Sequence, residues 1–129
     1  MMKTKSSKAK GGRLQKIVRN YILNTLPLLP HEIKSTTMGE KGEDIQRLTE
    51  KAKKLFAFQT ECKNQEALSL WQAWEQCAER RTETDVPLLV VTRNRSPVLV
   101  IQLASDWFKQ HATLIKLQYP EEYTDVQTK

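Results

Sequence analysis

Gly42-Glu43-Asp44-Ile45-Gln46-Arg47-Leu48 and Phe58-Gln59-Thr60-Glu61-Cys62-Lys63-Asn64, with Glu61 seventeen residues on from Asp44, are the stretches whose reading decides the fold. Residues 57–63 read as a short strand. Successive strand side chains point to opposite faces, so Glu61 and Lys63 share one face about 7 Å apart and Cys62 takes the other. A carboxylate and an ammonium side by side, within reach of a second carboxylate from the strand before, suit a divalent-metal and water-activating site. Mg²⁺ takes oxygen ligands and is held by one or two carboxylates plus substrate phosphates, and a lysine there holds or deprotonates an attacking water. The bare Glu-x-Lys triplet is a weak signal. It occurs at Glu32-Ile33-Lys34 and at Glu61-Cys62-Lys63, and only the second has an aspartate upstream. The same residues also fit an exposed strand face with a surface ion pair worth under about 1 kcal/mol.

Working outward, Leu14, Ile17, Val18, Tyr21, Ile22 and Leu26 recur at helical spacing, predicting a helix that starts after Gly11-Gly12 and ends at Pro27. Residues 31–36 and 44–48 read as two strands, joined by a loop rich in glycine and hydroxyls over 35–42. A helical connector holds Lys51, Lys53 and Lys54. Residues 65–81 read as a helix with Ala67, Leu70, Trp71, Trp74, Cys77 and Ala78 on one face, the tryptophans serving the core or a dimer contact. Residues 88–91 and 98–101 are unbroken apolar runs, the mark of buried central strands. Arg93 and Arg95 sit on the turn between them, placed either to clamp phosphate or simply exposed. Ser105 is positioned to cap a last helix. The order α-β-β-β-α-β-β-α gives an α/β protein with a mixed central sheet flanked by helices.

Gly-Glu-Asp-Ile, a short connector and Phe-Gln-Thr-Glu-Cys-Lys-Asn resemble the motif of PD-(D/E)XK nucleases. More narrowly, the chain is similar to small phage-encoded endonucleases related to archaeal-type Holliday-junction resolvases. The resemblance runs from about Gly12 to about Leu103 and takes in Gly-Arg-Leu-Gln on the first helix, Ser-Thr-Thr-Met-Gly, Glu-Cys-Lys-Asn-Gln-Glu, and the Trp-rich helix with Glu75-Gln76. It implies a restriction-endonuclease-like αβββαβ core and a Mg²⁺-dependent DNA endonuclease, with Mn²⁺ as substitute, that leaves 5′-phosphate ends. Asp44, Glu61 and the Cys62 carbonyl would hold the metal, and Lys63 would position the water. Relatives often carry a glutamate on the first helix where this chain has Gln15, and a glutamine on the later helix, here Gln76. They also use a loop, here Ser35, Thr36 and Thr37, against the DNA backbone. The resemblance implies a two-fold homodimer acting on branched DNA, four-way junctions first. Flap, nick or duplex nucleases, and a non-catalytic DNA-binding protein on a nuclease fold, are the alternatives.

At 129 residues the chain has room for one core. The expected layout is a disordered basic arm over 1–10, a nuclease domain over 11–119 and a flexible tail over 120–129. The net charge of +6 is uneven. Residues 1–31 hold seven basic side chains and no acidic one, leaving 14 basic against 15 acidic in the rest. A basic arm on a near-neutral body fits a polyanion contact, to which Lys10 and Arg13 would contribute, or a solubilising tail. Two cysteines, Cys62 and Cys77, make neither a metal pattern nor a disulfide framework. Reduced thiols point to an intracellular location, the host cytoplasm for a phage-encoded protein. No run of about 18 apolar residues exists, so no membrane span is expected.

Overall fold

Every residue from Leu88 to Val91 is buried, and alternation sends them into two separate cores. Leu88 and Val90 join Leu14, Val18 and Ile22, while Leu89 and Val91 join Ala73 and Cys77. A strand covered on both faces has no polar side to show, which is why the run is unbroken. The computed structural model describes residues 5–36 and 42–124. Here β4 (Val86–Thr92) is the centre of a three-stranded mixed sheet ordered β3-β4-β5. It pairs in parallel with β3 (Phe58–Asn64), from Phe58↔Val86 to Asn64↔Thr92, and antiparallel with β5 (Leu99–Ile101). Parallel neighbours need a crossover; α3 (Leu70–Ala78) supplies it and covers one face. The other face is covered by α1 (Lys5–Thr25).

A second, two-stranded sheet pairs β1 (Ile33–Ser35) with β2 (Ile45–Arg47), antiparallel, Ile33 opposite Arg47. The Asp44 N–H donates to the Thr60 carbonyl, joining this ribbon to β3. Between β2 and β3 lies α2 (Glu50–Leu55), capped by Thr49, whose hydroxyl accepts the Ala52 N–H. The Thr49 hydroxyl donates to Glu32, which also accepts the Leu29 N–H. The first Glu-x-Lys triplet is thereby separated from the second: Glu32 is buried and satisfied by structural partners.

Several expectations are corrected. α1 starts at Lys5 and runs through Gly11 and Gly12, so residues 5–10, expected in a disordered arm, are helical. Helix extension adds one hydrogen bond per residue, enough to carry the helix across glycines costing about 1 kcal/mol each. The Asn64 side-chain N–H₂ also donates to the Lys10 carbonyl, anchoring that turn on β3. Residues 120–124, expected in the tail, form α5 (Pro120–Thr124). β5 is an edge strand, with Leu99 55% and Val100 57% exposed. α3 is shorter than expected and is rotated so that Ala73 and Cys77 face inward while Trp71 is 77% exposed. Ser105 caps nothing: α4 (Ala104–Gln118) follows Leu103 and has no side-chain cap. Residues 1–4, 37–41 and 125–129, which include Thr37 and the rest of the expected arm and tail, lie outside the described residues.

Candidate functional site

Asp44 stands at the head of β2, where the ribbon meets β3. Its backbone N–H reaches Thr60 O at 3.1 Å, and its carboxylate Oδ2 accepts the Cys62 N–H at 2.7 Å. These two bonds straddle Glu61 and fix the aspartate against the strand that carries it. A strand residue's N–H and C=O point to the same edge, so the Cys62 carbonyl is directed toward the side where Asp44 sits. Thr36 holds the approach to Asp44. Its N–H donates to the Asp44 carbonyl and its hydroxyl to the Glu43 carbonyl.

Glu61 projects from the face of β3 opposite Cys62. Burial, and next the negative charge of Asp44, push its carboxyl above the ordinary carboxylate range; Arg80 and Lys63 pull it partly back. Lys63 Nζ lies 3.7 Å from Glu61 Oε1, and Arg80 Nη1 lies 3.1 Å from Oε2. Oε2 is nonetheless buried and accepts no hydrogen bond. Arg80 Nη1 also donates to the Gly42 carbonyl at 2.8 Å, tying the end of α3 to the segment before Asp44. Burial is also the main reason the Cys62 thiol is held far above its usual range, with Asp44 and Glu61 adding to it. It is therefore a protonated core group, and its carbonyl is the atom available for chemistry.

Carboxylates from neighbouring strands, with Asp44 raising the Glu61 carboxyl, are donors of the kind a divalent cation takes, but Glu61 Oε2, which accepts no hydrogen bond, already faces the Arg80 guanidinium. Among the described residues no group of three or more His, Cys, Asp or Glu side chains is poised to hold a metal. A cation here would be held by Asp44, Glu61 and the Cys62 carbonyl, with water or phosphate oxygens completing its shell.

The other sequence-derived residues divide. Gln15 is buried on α1 and its Oε1 accepts no hydrogen bond. Gln76 is exposed. Thr36 is buried with its hydroxyl directed inward, which makes it a tie in the fold rather than a surface contact; Ser35 is half-buried at the end of β1. Arg93 and Arg95 are exposed on the turn after β4, with Arg95 at a φ of 56°. That turn lies at the same end of the sheet as Lys63, because Asn64 pairs with Thr92. Glu66 draws Lys10 to the same place, accepting the Asn94 N–H at 3.2 Å with Lys10 Nζ at 3.9 Å. Arg13 is exposed one helical turn further along α1. Lys10, Lys63, Arg93 and Arg95 thus gather at the carboxyl ends of β3 and β4.

Two features were missed. Arg80 was passed over at the end of the expected 65–81 helix, and its one signal was a basic side chain just past a helix C-terminus. Arg47 was passed over inside the decisive stretch. It is buried, with Asp85 gripping its guanidinium at 2.8 and 2.9 Å, the Phe56 carbonyl accepting at 3.1 Å and Glu43 alongside at 3.3 Å. No family model, curated protein or solved structure matches this chain.

Proposed function

We propose that the chain is a divalent-metal-dependent DNA endonuclease that hydrolyses phosphodiesters, four-way junctions being its foremost substrate. The observation that carries the reading is the clamp of Asp44 onto the Cys62 N–H. It sets one carboxylate beside Glu61, whose other neighbour is the Lys63 ammonium. Mg²⁺, or Mn²⁺ in its place, would neutralise charge building on the phosphoryl oxygens. Asp44 and Glu61 would hold it through carboxylate oxygens, with the Cys62 carbonyl as a third donor. Lys63, whose Nζ lies 3.7 Å from Glu61 Oε1, would donate a hydrogen bond to the attacking water and orient it for in-line attack on phosphorus. Arg80, partly solvent-exposed, offers a second positive group beside the same carboxylate.

Lys10, Arg93 and Arg95 at the neighbouring sheet end support DNA as the partner, since phosphate contacts come from such groups. The junction preference, the 5′-phosphate products, a two-fold homodimer and an intracellular, cytoplasmic setting come from the resemblance and belong to the same proposal. No described helix is long and apolar enough to cross a membrane. A DNA-binding protein without catalysis is the second reading, and Arg80 favours it: its guanidinium already stands against Glu61 Oε2, where a cation would bind.

Cleavage assays separate the two. Purified protein is expected to cut a labelled four-way junction in Mg²⁺ in preference to flap, duplex and single strand at one salt concentration. Asp44→Asn and Lys63→Ala should remove cutting and leave junction binding in place. Wild-type protein that binds but never cuts in Mg²⁺ or Mn²⁺ decides for the non-catalytic reading.

A further inference from the structure

Arg80 lies two residues beyond α3 and joins two other segments through one nitrogen. Its Nη1 donates to the Gly42 carbonyl at 2.8 Å and stands 3.1 Å from Glu61 Oε2. The first contact is a hydrogen bond and the second a contact of charge, since Oε2 accepts no hydrogen bond although it is shut off from solvent. Lys63 stands against the other oxygen of the same carboxylate. Two carboxylates, Asp44 and Glu61, are thus balanced by two cationic side chains. The cations differ in freedom: the Arg80 side chain is 39% exposed, that of Lys63 19%. They differ in chemistry as well. A lysine beside a divalent ion can shed its proton, whereas a guanidinium stays charged at any working pH. Positive charges this close repel strongly in a partly desolvated site. A guanidinium on Glu61 therefore either weakens the ion's binding or turns away, and solvent lies open to it.

We propose that Arg80 is an internal counter-ion that competes with the divalent cation for Glu61, sets the ion concentration the site requires, and turns out to solvent when the ion binds. One nitrogen makes both contacts, so leaving Glu61 also releases the Gly42 carbonyl. Gly42 stands two residues before Asp44 at a φ of 113°, a conformation open to glycine, and its segment can readjust once released. Arg80 in this way links the state of one carboxylate to the backbone leading to the other. The inference rests on the metal part of the proposed function and goes past it. A group that otherwise favours a protein without catalysis becomes the one that tunes ion binding. The test reads ion binding without DNA, which keeps it apart from any cleavage result.

Calorimetric titration of the full chain with Mn²⁺, at an ionic strength of about 0.1 M, measures the competition. Arg80→Gln removes the charge and keeps a donor for the Gly42 carbonyl, whereas Arg80→Lys keeps the charge. Arg80→Gln should bind Mn²⁺ at least about tenfold more tightly than wild type, and Arg80→Lys should stay within about threefold of it. Tighter binding is not what a damaged fold produces, so loss of structure does not imitate the expected result. Wild-type protein gives a second reading. Its Arg80 guanidinium N–H signals, assigned by their absence from Arg80→Lys, should exchange with water faster in saturating Mg²⁺ than without it. If wild type and Arg80→Gln bind Mn²⁺ equally, this inference falls and the metal site stands. If neither binds, both fall. Equal tightening by Arg80→Lys, or guanidinium exchange that Mg²⁺ leaves unchanged, also overturns the proposal.

Discussion

Under the proposed function Asp44 and Lys63 would act on different steps, and their substitutions should differ in kind. Asp44→Asn keeps an oxygen able to accept the Cys62 N–H but loses the charge, so the expected loss of cutting comes through metal affinity, read as weakened Mg²⁺ binding in a titration. Lys63→Ala leaves both carboxylates and removes the group that orients water. Cleavage should fall by roughly 10²–10⁴-fold, the usual contribution of a positioned proton-transfer group, with junction binding in gel shifts close to wild type. Arg47 belongs to stability. It is buried with Asp85 and Glu43, and Arg47→Ala strands Asp85 and the Phe56 carbonyl. A loss of about 3–5 kcal/mol in urea unfolding is expected, the scale for breaking a buried pair. The Arg47 hydrogen bond holds the Asp85 carboxyl below its ordinary pKa of 3.8. That stability is fully present above pH 3.8 and is lost as pH falls through the lowered native value. Asp85→Asn should therefore flatten the acid limb of the stability–pH curve. Glu43 has the opposite sign, because burial raises its pKa above 4.5. Its contribution is present below pH 4.5 and fades as pH climbs through the raised native value.

Among the elements, α1 offers the clearest test. Gly11 and Gly12 lie inside it, and a Cβ built at either position meets nothing within 4 Å. No close approach requires glycine there. Gly11→Ala and Gly12→Ala should each stabilise the protein by about 0.5–1 kcal/mol, seen as a higher Tm. A fall in Tm would mean that residues 5–10 are not helical in the native state. The edge position of β5 is explained at the same scale. Its three residues pair on one side only, with β4, so an unbroken apolar run, read as a buried strand, here borders an open groove.

For the whole molecule, the uneven charge matters most. Replacing Lys3, Lys5 and Lys8 by Gln should reduce the slope of log K against log salt for junction binding by up to about three, roughly one for each phosphate no longer neutralised. The cleavage position should not change, because the proposed catalytic groups sit on β3 and just before β2. A slope equal to wild type would remove those lysines from the DNA interface. Neutralising Arg93 and Arg95 should add to that effect.

Legibility followed sequence separation. The α/β class, the buried β4 run, the alternation that puts Glu61 and Lys63 on one face, and the pairing of Asp44 with that strand were readable because they depend on period and local order. Arg47 with Asp85, and Arg80 with Gly42, lie 38 residues apart; no periodicity reports such contacts, and only packing α3 onto β3 and β4 creates them. The same packing sets Ala73 and Cys77 against Leu89 and Val91 and leaves Trp71 in solvent. The chain's own order thus determined which strands form and what chemistry they carry. The tertiary structure alone decided which cations stand beside the carboxylates and which apolar faces stay open, since both depend on where distant segments come to rest.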